Sequence, residues 1–320
     1  MKLFVTGASG YLGGALVRSL LPYHQLRLLV RRPESIGDLQ GARGIEVVEG
    51  DLLVKASWEE KLSGCDGVLH LAALVKQWAP PQHFFAVNRD AFRHLLECCW
   101  KKKIGVFIYT SSFIALGPSD NSTDDSLWRV NAYARSKREA LTVARDYQKK
   151  GFPLTTLIPT VLYGPGTRTE GNHLTPFLES LIRGRPQPLA DGGKWIWNFA
   201  FIDDITAGFR LALEKGKGRG EYVLGGVSVS VEQFFLTAAR LLGQDWHPPS
   251  LPLWAMKGYA FFEELRASVS RPSPRLTRGA LAVYRHDWDF QDTKAREELG
   301  YKTVPLEEGL KRTLDWLKKP

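Results

Sequence analysis

The chain of 320 residues is long enough for one large α/β domain, or for a nucleotide-binding domain with a smaller lobe. Hydrophobic residues make up 44% of the chain and charged residues 24%, a balance that excludes a disordered or fibrous protein. The net charge of +9 comes from basic residues spread along the whole chain. This spread argues against a nucleic-acid-binding surface and suits an anionic cofactor.

Strands and helices alternate through the first half of the chain. Short apolar runs predict six strands, at 3–6, 26–30, 45–48, 67–71, 106–109 and 154–158. Helical patterns at 12–20, 86–96 and 132–147 lie between some of them. Short buried strands that alternate with helices predict an α/β fold with a doubly wound parallel Rossmann sheet, whose ligands lie at the C-terminal ends of the strands.

From about residue 164 the chain becomes richer in proline, glycine and aromatic residues. We therefore expect a cofactor domain at 1–165, joined by a returning helix at 200–215, and a smaller, discontinuous C-terminal substrate lobe at 166–320. Aromatic residues of the lobe are expected either to line an apolar pocket or to build an ordinary core: Trp195, Trp197, Phe199, Trp254, Tyr259, Phe261 and Phe262. The segment 251–269 is too short and charged to span a bilayer, and a lid or an interfacial helix in peripheral contact with a membrane are its two alternatives.

A glycine-rich segment, Gly7-Ala8-Ser9-Gly10-Tyr11-Leu12-Gly13, follows the first strand and opens the first helix. Gly7 permits a tight turn, Gly10 lets backbone N–H groups approach a pyrophosphate, and Gly13 allows close packing of the helix. The helix dipole favours the phosphate charge at this position. The segment predicts a dinucleotide-binding loop.

The end of the second strand selects the nucleotide. An NAD site normally has an acidic residue there, whereas this chain has Val30 followed by Arg31 and Arg32. Guanidinium groups bind a 2′-phosphate in a bidentate manner, so NADP(H) is the preferred cofactor and NAD(H) the alternative. Asp51, after the third strand, either bonds the adenine or begins a turn.

Tyr133 and Lys137 are four residues apart in a helical stretch and so share one face. A nearby ammonium is expected to stabilise a phenolate and to lower the tyrosine pKa, which would make Tyr133 a usable acid/base. Thr110-Ser111-Ser112 ends the fifth strand, where a hydroxyl could donate to a substrate oxygen. The four-residue spacing alone is weak evidence, and its weight comes from these neighbours.

Taken together, these motifs resemble the extended short-chain dehydrogenases/reductases, the NAD-dependent epimerase/dehydratase family. The resemblance rests on the glycine loop, His70-Leu71-Ala72-Ala73, Asn88, Ser112 and Tyr133-xxx-Lys137, and it extends to Tyr163-Gly164-Pro165-Gly166 and Phe201-Ile202-Asp203-Asp204. The segments 109–117, 252–255 and 285–288 are similar to the dihydroflavonol-reductase-like branch, and especially to farnesol-dehydrogenase-like proteins. Thr160 departs from the residue that many relatives carry after arginine-proline.

The resemblance implies a role for each matched residue. Ser112 would polarise the substrate oxygen, Tyr133 would transfer the proton, Lys137 would bind the nicotinamide ribose and Asn88 would order the site, with Thr110 as a weaker alternative to Ser112. The candidate cofactor-binding residues are Gly7, Ser9, Gly10, Tyr11, Leu12, Arg31, Arg32, Asp51, Leu52, Leu71, Ala72, Ala73, Tyr133, Lys137, Pro159, Val161 and Leu162. The paired Asp203 and Asp204 lack metal-ligand spacing with histidine, so no metal is expected, and a structural or helix-capping role is favoured.

The leading hypothesis is an NADP(H)-dependent oxidoreductase that transfers hydride to or from a carbonyl or alcohol carbon of an apolar small molecule: isoprenoid, aromatic or sterol-like. A nucleotide-sugar epimerase or dehydratase with a retained cofactor is one alternative, and a non-catalytic cofactor-binding regulator is the other. Three cysteines without disulfide or metal spacing, and an N-terminus that runs into a strand, predict a cytoplasmic location. A homodimer is compatible with the sequence.

Overall fold

The computed structural model describes residues 1–120, 122, 125–185, 187–215, 220–269 and 273–319. The strands are β1 (Lys2–Thr6), β2 (Gln25–Val30), β3 (Ile45–Glu49), β4 (Gly67–His70), β5 (Val106–Thr110), β6 (Leu154–Pro159), β7 (Val161–Tyr163), β8 (Leu189–Ala190), β9 (Ile196–Phe201), β10 (Gly220–Leu224), β11 (Val227–Ser230) and β12 (Ser250–Leu251). The helices are α1 (Tyr11–Leu20), α2 (Pro81–Phe85), α3 (Phe92–Lys101), α4 (Ser126–Val130), α5 (Ala132–Lys149), α6 (Thr175–Ile182), α7 (Ile202–Lys215), α8 (Val231–Leu241), α9 (Leu253–Val269), α10 (Arg278–Tyr284) and α11 (Leu306–Leu317).

Seven strands of the described residues form one parallel sheet in the order β3-β2-β1-β4-β5-β6-β10. The chain reverses its direction of travel across the sheet at β1, which pairs with β2 on one side and β4 on the other. In a doubly wound sheet this reversal opens a crevice at the C-terminal strand ends. The glycine loop after β1 therefore lies at the expected ligand-binding edge.

Alternating side chains of the strands build one core on each face of the sheet. Leu3 and Val5 of β1 pack with Leu16 of α1 and Phe209 of α7, whereas Phe4 packs on the other face in the cluster that includes residues of α3 and α5. This alternation follows from the two-residue period of a strand. Because both faces are covered, the central strands β1, β4 and β5 are mostly buried and apolar.

A third core lies in the C-terminal part of the chain. It is organised around a three-stranded sheet in the order β11-β9-β7, with β7 and β9 parallel and β9 and β11 antiparallel. Trp197 of β9 also pairs with Trp288, which lies 91 residues further on and is fully buried. This core joins the elements that surround the C-terminal edge of the central sheet.

The six predicted strands are confirmed, with ends that differ by no more than one residue. The seventh strand of the central sheet, β10, comes from the segment that we assigned to the substrate lobe, and α7 packs beside α1 as expected for a returning helix. The lobe aromatics divide into two groups. Trp197 and Phe199 are core residues and Trp195 packs against them, whereas Trp254, Tyr259, Phe261 and Phe262 of α9 are exposed.

The helix predicted at 86–96 begins earlier and is interrupted. It starts with α2 at Pro81, passes through a π-helical turn at Ala86–Ala91 and continues as α3. The π turn contains Asn88, one of the candidate site residues, and single π turns occur often at functional sites.

Candidate active site

The glycine loop lets the end of β1, the start of α1 and the segment at Ala72 approach one another closely. Gly7 has a φ of 79°, and a Cβ there would lie 2.5 Å from the nitrogen of Ala72. A Cβ on Gly13 would lie 2.0 Å from the carbonyl oxygen of Gly7. Gly10, which has no side chain, is the N-cap of α1, so the first-turn N–H groups of that helix face the crevice. Such a helix end binds anions, and the loop therefore fits the pyrophosphate of a dinucleotide.

Tyr11 differs from the other candidate residues of this loop. Its side chain is buried, its hydroxyl donates to the carbonyl oxygen of Gly164 at 2.8 Å, and its ring packs against Gly166. Burial raises the pKa of Tyr11, so the phenol stays neutral. Tyr11 therefore joins α1 to the loop after β7, and only its backbone remains as a candidate cofactor contact. Ser9 and Leu12 are half-buried beside it.

A buried polar pair supports the segment Leu71–Ala73 on the opposite side of the crevice. Thr6 Oγ1 lies 2.8 Å from His70 Nδ1, and the backbone nitrogen of Ala72 donates to the same hydroxyl at 3.3 Å. Burial lowers the pKa of His70 to about 3, so its imidazole is neutral, and its Nδ1 shares a hydrogen bond with the Thr6 hydroxyl. Sequence analysis missed the part played by Thr6 and by the His70 side chain. A histidine at the end of a fully buried strand was the available signal.

Asn88 is buried and connects two walls of the site. Its Oδ1 accepts from the nitrogen of Leu74 at 2.7 Å, and its Nδ2 donates to the carbonyl oxygen of Leu74 at 3.2 Å and to Ser136 Oγ at 2.9 Å. Ser136 in turn donates to the carbonyl oxygen of Tyr133 at 2.8 Å. Asn88 thus ties the end of the Leu71–Leu74 segment to the first turn of α5.

The helix α5 carries Tyr133 and Lys137 on one face. Asn131 is its N-cap, and the side chain of Asn131 accepts from the nitrogen of Ala134 at 2.9 Å. Lys137 is buried, donates to the carbonyl oxygen of Thr110 at 2.9 Å and lies over the Tyr109 ring at 5.1 Å. These contacts fix α5 against the end of β5, which is the strand that positions Ser112.

Burial, and not the neighbouring ammonium, controls the ionisation of Tyr133 in this structure. Desolvation raises the pKa of Tyr133 to about 12, and a hydrogen bond with Ser112 acts in the opposite direction. Desolvation also lowers the pKa of Lys137 to about 7. Attraction between Tyr133 and Lys137 is not among the causes of either shift, so the expected effect of Lys137 on the Tyr133 pKa stays a prediction.

The ends of β2 and β3 place Arg31 and Asp51 near each other, since Val30 is in register with Glu49. Arg31 and Arg32 are exposed, and Arg32 lies 4.0 Å from Glu34. Asp51 begins a turn in which its Oδ1 accepts from the nitrogen of Leu53 at 2.9 Å. Asp51 was expected either to bond the adenine or to begin a turn, and it begins a turn here. The Oδ2 atom of Asp51 is not used by this bond.

The remaining candidate cofactor-binding residues lie at or after the C-terminal ends of β3 and β6. Leu52, next to Asp51, accepts at its carbonyl from Trp58 Nε1, at 3.1 Å. Pro159 ends β6, and Val161 and Leu162 follow in β7. Between them Thr160 donates to Asn198 Oδ1 at 2.7 Å, and its backbone nitrogen donates to the carbonyl oxygen of Leu224.

Asn198 is a structural residue that sequence analysis missed. Its Oδ1 also accepts from the nitrogen of Gly226 at 2.7 Å, and its Nδ2 donates to Ser228 Oγ at 2.9 Å. A lone asparagine in the aromatic run of β9 was the signal that could have revealed it. The departure at Thr160 is therefore accommodated by a buried polar partner in the smaller sheet.

The paired carboxylates at the start of α7 hold the C-terminal part of the chain. Asp203 pairs with Arg312, and Asp204 accepts from the nitrogen of Val304 at 2.9 Å. Burial raises the pKa of Asp204. Within the described ranges, no group of three or more His, Cys, Asp or Glu side chains is arranged to hold a metal ion.

Comparison of the sequence with known protein families identifies the family of this chain. The chain matches the NAD dependent epimerase/dehydratase family over residues 3–225 and belongs to that family. The fold is that of the extended short-chain dehydrogenases/reductases, and the protein is an NAD(P)-dependent oxidoreductase.

Two relatives share nearly the whole length of the chain. A putative dihydroflavonol 4-reductase of Synechocystis sp. is 28% identical, over 98% of this chain and 93% of the relative. A 4-hydroxy-2-methyl-3-oxo-4-farnesyl-3,4-dihydroquinoline-1-oxide ketoreductase of Stigmatella aurantiaca is 27% identical, over 94% of this chain and 92% of the relative. These relatives bear out the resemblance to dihydroflavonol-reductase-like proteins.

Solved structures agree with the fold. The crystal structure of gox2253 has a TM-score of 0.78 at 28% identity and covers 99% of this chain and 97% of its own. A UDP-glucuronic acid 4-epimerase from Bacillus cereus, solved with UDP-glucuronic acid and NAD, has a TM-score of 0.77 at 22% identity and covers 99% of both chains. The second likeness shows the shared fold alone.

Proposed function

We propose that the protein is an NADP(H)-dependent reductase of a carbonyl group on an apolar small molecule, with Tyr133 as the proton donor. The observation that carries this proposal is the meeting of Tyr133 and Ser112 at the end of β5, in the crevice that the glycine loop opens. The ketoreductase relative, whose name describes a farnesylated quinoline, supports the class of substrate.

The crevice fits a dinucleotide on two features of this chain. Gly7 and Gly13 leave no space for a Cβ, so the turn packs tightly between the end of β1 and the start of α1. The first-turn N–H groups of α1, which no side chain caps, then suit a bound phosphate. In addition, Thr110 Oγ1 at the end of β5 is buried and finds no hydrogen-bond partner among the described residues. Such an atom is expected to be paired when a ligand occupies the site.

When bound, the nicotinamide supplies the hydride that adds to the carbonyl carbon. Ser112 would hold the carbonyl oxygen, and Tyr133 would give that oxygen its proton. A Tyr133 pKa of about 12 keeps the phenol protonated at neutral pH, and an alkoxide is a much stronger base than a phenolate. These properties suit Tyr133 to the role of proton donor. Lys137 would contact the nicotinamide ribose, and Asn88 would keep α5 in place.

Reaction of the purified protein with NADPH and a panel of isoprenoid, aromatic and ketosteroid carbonyls tests the reaction class. We expect reduced cofactor to be consumed in a one-to-one ratio with alcohol formed. Turnover of UDP-sugars without net change in the cofactor would contradict the proposal and favour an epimerase. Binding of NADPH without turnover of either substrate class would favour the non-catalytic regulator.

Substitution at position 133 tests the assigned proton donor. Tyr133→Phe should lower kcat by at least about a hundredfold, the range of a lost general acid, while cofactor affinity stays nearly unchanged. Tyr147→Phe, near the other end of the same helix, is the matched control and should retain full activity. Wild-type turnover by Tyr133→Phe would remove Tyr133 from the mechanism.

We propose that Arg31, the arginine nearer to the strand end, selects NADP(H). Arg31→Ala should weaken NADPH binding by about tenfold or more and leave NADH binding almost unaltered, because only NADPH carries the 2′-phosphate. Arg43→Ala is the matched control. Arg43 is also exposed, but it precedes β3 and therefore lies at the N-terminal ends of the strands, whereas Arg31 lies at their C-terminal ends. An equal loss for both cofactors would refute the assignment.

The three cysteines are free and buried, which supports the cytoplasmic location expected from the sequence. In the described part of the chain, no helix has the length and apolarity needed to cross a membrane.

A further inference from the structure

The helix α9 presents its large apolar side chains to solvent. Trp254 is 77% exposed, Phe262 is 64% exposed and Val269 is 87% exposed, and Phe261 and Leu265 are more than half exposed. The side chains that α9 buries are Ala260 and the charged Glu263. This arrangement is the reverse of an ordinary surface helix, whose apolar stripe faces the core.

The exposed apolar residues of α9 form one continuous stripe. Their positions at 254, 261, 262, 265 and 269 follow the three- and four-residue spacing of a helix face. We call these five residues the α9 stripe. Single exposed apolar residues are ordinary on a protein surface, but a contiguous patch with two aromatic rings at its centre marks a site of interaction.

Ion pairs on the opposite side hold α9 in this orientation. Glu263 accepts from Arg266 Nη2 and from the nitrogen of Arg275, both at 2.9 Å. Glu264 accepts from the nitrogen and from Nε of Arg278, both at 2.7 Å. Three of these hydrogen bonds join α9 to Arg275 and Arg278, in the segment that leads into α10 and at the start of that helix, and rotation of α9 to hide the stripe would break them.

The charge around the α9 stripe identifies its partner. The segment 251–278 contains five basic residues and two glutamates, and both glutamates are occupied by the contacts just described. Lys257, Arg275 and Arg278 are exposed, and Arg278 lies 5.5 Å from the Phe261 ring of the stripe. An apolar stripe with aromatic residues and a basic border is the pattern of a helix that lies in the interface of an anionic bilayer. Two copies of this surface would instead bring like charges together.

We infer that α9 docks the protein on an anionic lipid surface, with the α9 stripe inserted among the acyl chains and Lys257, Arg275 and Arg278 at the level of the headgroups. The inference goes beyond the proposed reaction and does not depend on it. Of the two alternatives for the segment 251–269, it favours the interfacial helix over the lid.

A short series of contacts connects α9 to α5, the helix that carries Tyr133. The helix α9 packs against α10, which packs against α4. The carbonyl oxygen of Gly279 in α10 accepts from Asn131 Nδ2 at 3.0 Å, and Asn131 caps the helix that carries Tyr133. The helix α9 is therefore connected through α10 to the helix that carries Tyr133.

Vesicle flotation with the full chain, without substrate or cofactor, tests the inference. We expect the protein to float with vesicles of mixed phosphatidylcholine and phosphatidylglycerol, more weakly at high salt, and much less with phosphatidylcholine alone. The double variant Trp254→Ser/Phe262→Ser should lower the partition coefficient on mixed vesicles by at least about tenfold. Lys257→Gln should lower it by about fivefold on mixed vesicles and leave binding to neutral vesicles unchanged.

The control is Tyr23→Ser/Val54→Ser, which removes two comparably exposed apolar side chains far from α9 and should bind vesicles like the wild type. All these side chains are exposed, and unchanged thermal unfolding would verify that the variants fold. Absence of wild-type flotation, wild-type binding by Trp254→Ser/Phe262→Ser, or an equal loss in the control would each overturn the inference. So would a dimer in sedimentation equilibrium that Trp254→Ser/Phe262→Ser converts to a monomer. A protein that floats but reduces no carbonyl would contradict the proposed reaction only.

Discussion

The buried ammonium of Lys137 predicts an unusual dependence of stability on pH. Burial lowers the pKa of Lys137 from 10.5 to about 7, so the folded state holds this proton less tightly than the unfolded state. Between these two values the unfolded chain binds more protons, and the free energy of unfolding therefore rises with pH. The penalty for the buried charge is greatest below pH 7 and disappears above the unfolded pKa.

The magnitude follows from the size of the shift. At 1.36 kcal/mol for each pKa unit, a shift from 10.5 to about 7 corresponds to about 5 kcal/mol over the whole window. Between about pH 7.5 and about pH 9.5 the free energy of unfolding should rise by about 2 to 3 kcal/mol from this group alone. Lys137→Met removes this contribution. The lost bond to the Thr110 carbonyl adds an offset that is nearly independent of pH.

Urea denaturation of wild type and Lys137→Met across this range provides the measurement. The difference in unfolding free energy between the two proteins should change by about 2 to 3 kcal/mol in favour of the wild type as pH rises. Lys149→Met, an exposed lysine of the same helix, should give a difference that stays constant with pH. A constant difference for Lys137→Met as well would show that desolvation does not govern this site.

Three further substitutions test the framework of the site. Asn88→Ala should lower the free energy of unfolding in urea by about 2 to 4 kcal/mol, because a buried backbone amide and carbonyl lose their partners. Gly13→Ala should weaken NADPH binding in a fluorescence titration by more than about tenfold, since its Cβ would lie 2.0 Å from a backbone oxygen. Gly14→Ala should bind normally, because its Cβ would meet a side-chain oxygen at 3.4 Å and a backbone oxygen at 3.7 Å, both at ordinary contact distances. Tyr11→Phe should cost about 1 kcal/mol of stability through its lost bond to Gly164, and unchanged stability would mean that this bond is not formed in solution.

The central sheet could be predicted because its strands are short, apolar and separated by helices or turns. The strand β10 was missed because Gly220 and Glu221 interrupt its apolar pattern, and a strand at the sheet edge needs fewer buried side chains. The small sheet was missed for a different reason. Its partners are distant in the chain, as the bridge between Trp197 and Trp288 shows, and local periodicity carries no information about such pairing.

The candidate site was predictable wherever a residue type is required by backbone geometry. Gly7 and Gly13 belong to this group, because their surroundings exclude any side chain. The supporting contacts were not predictable, because Thr6, Ser136 and Asn198 are common polar residues whose value depends on what the fold brings next to them. A polar residue inside a buried apolar run is the only signal of such a contact that a single sequence contains.

The ionisation of the site is the clearest case in which burial changes a conclusion drawn from spacing. A four-residue separation suggested that Lys137 activates Tyr133, but desolvation favours the neutral form of both groups. The proposed reduction requires a neutral Tyr133, because its phenol is the acid that donates the proton. Once its proton has left, the new phenolate favours protonation of the adjacent amine, so the attraction between the two groups grows as the reaction proceeds. Under this proposal Lys137 would stabilise the developing negative charge more than it stabilises the resting phenol, which is the difference that catalysis requires.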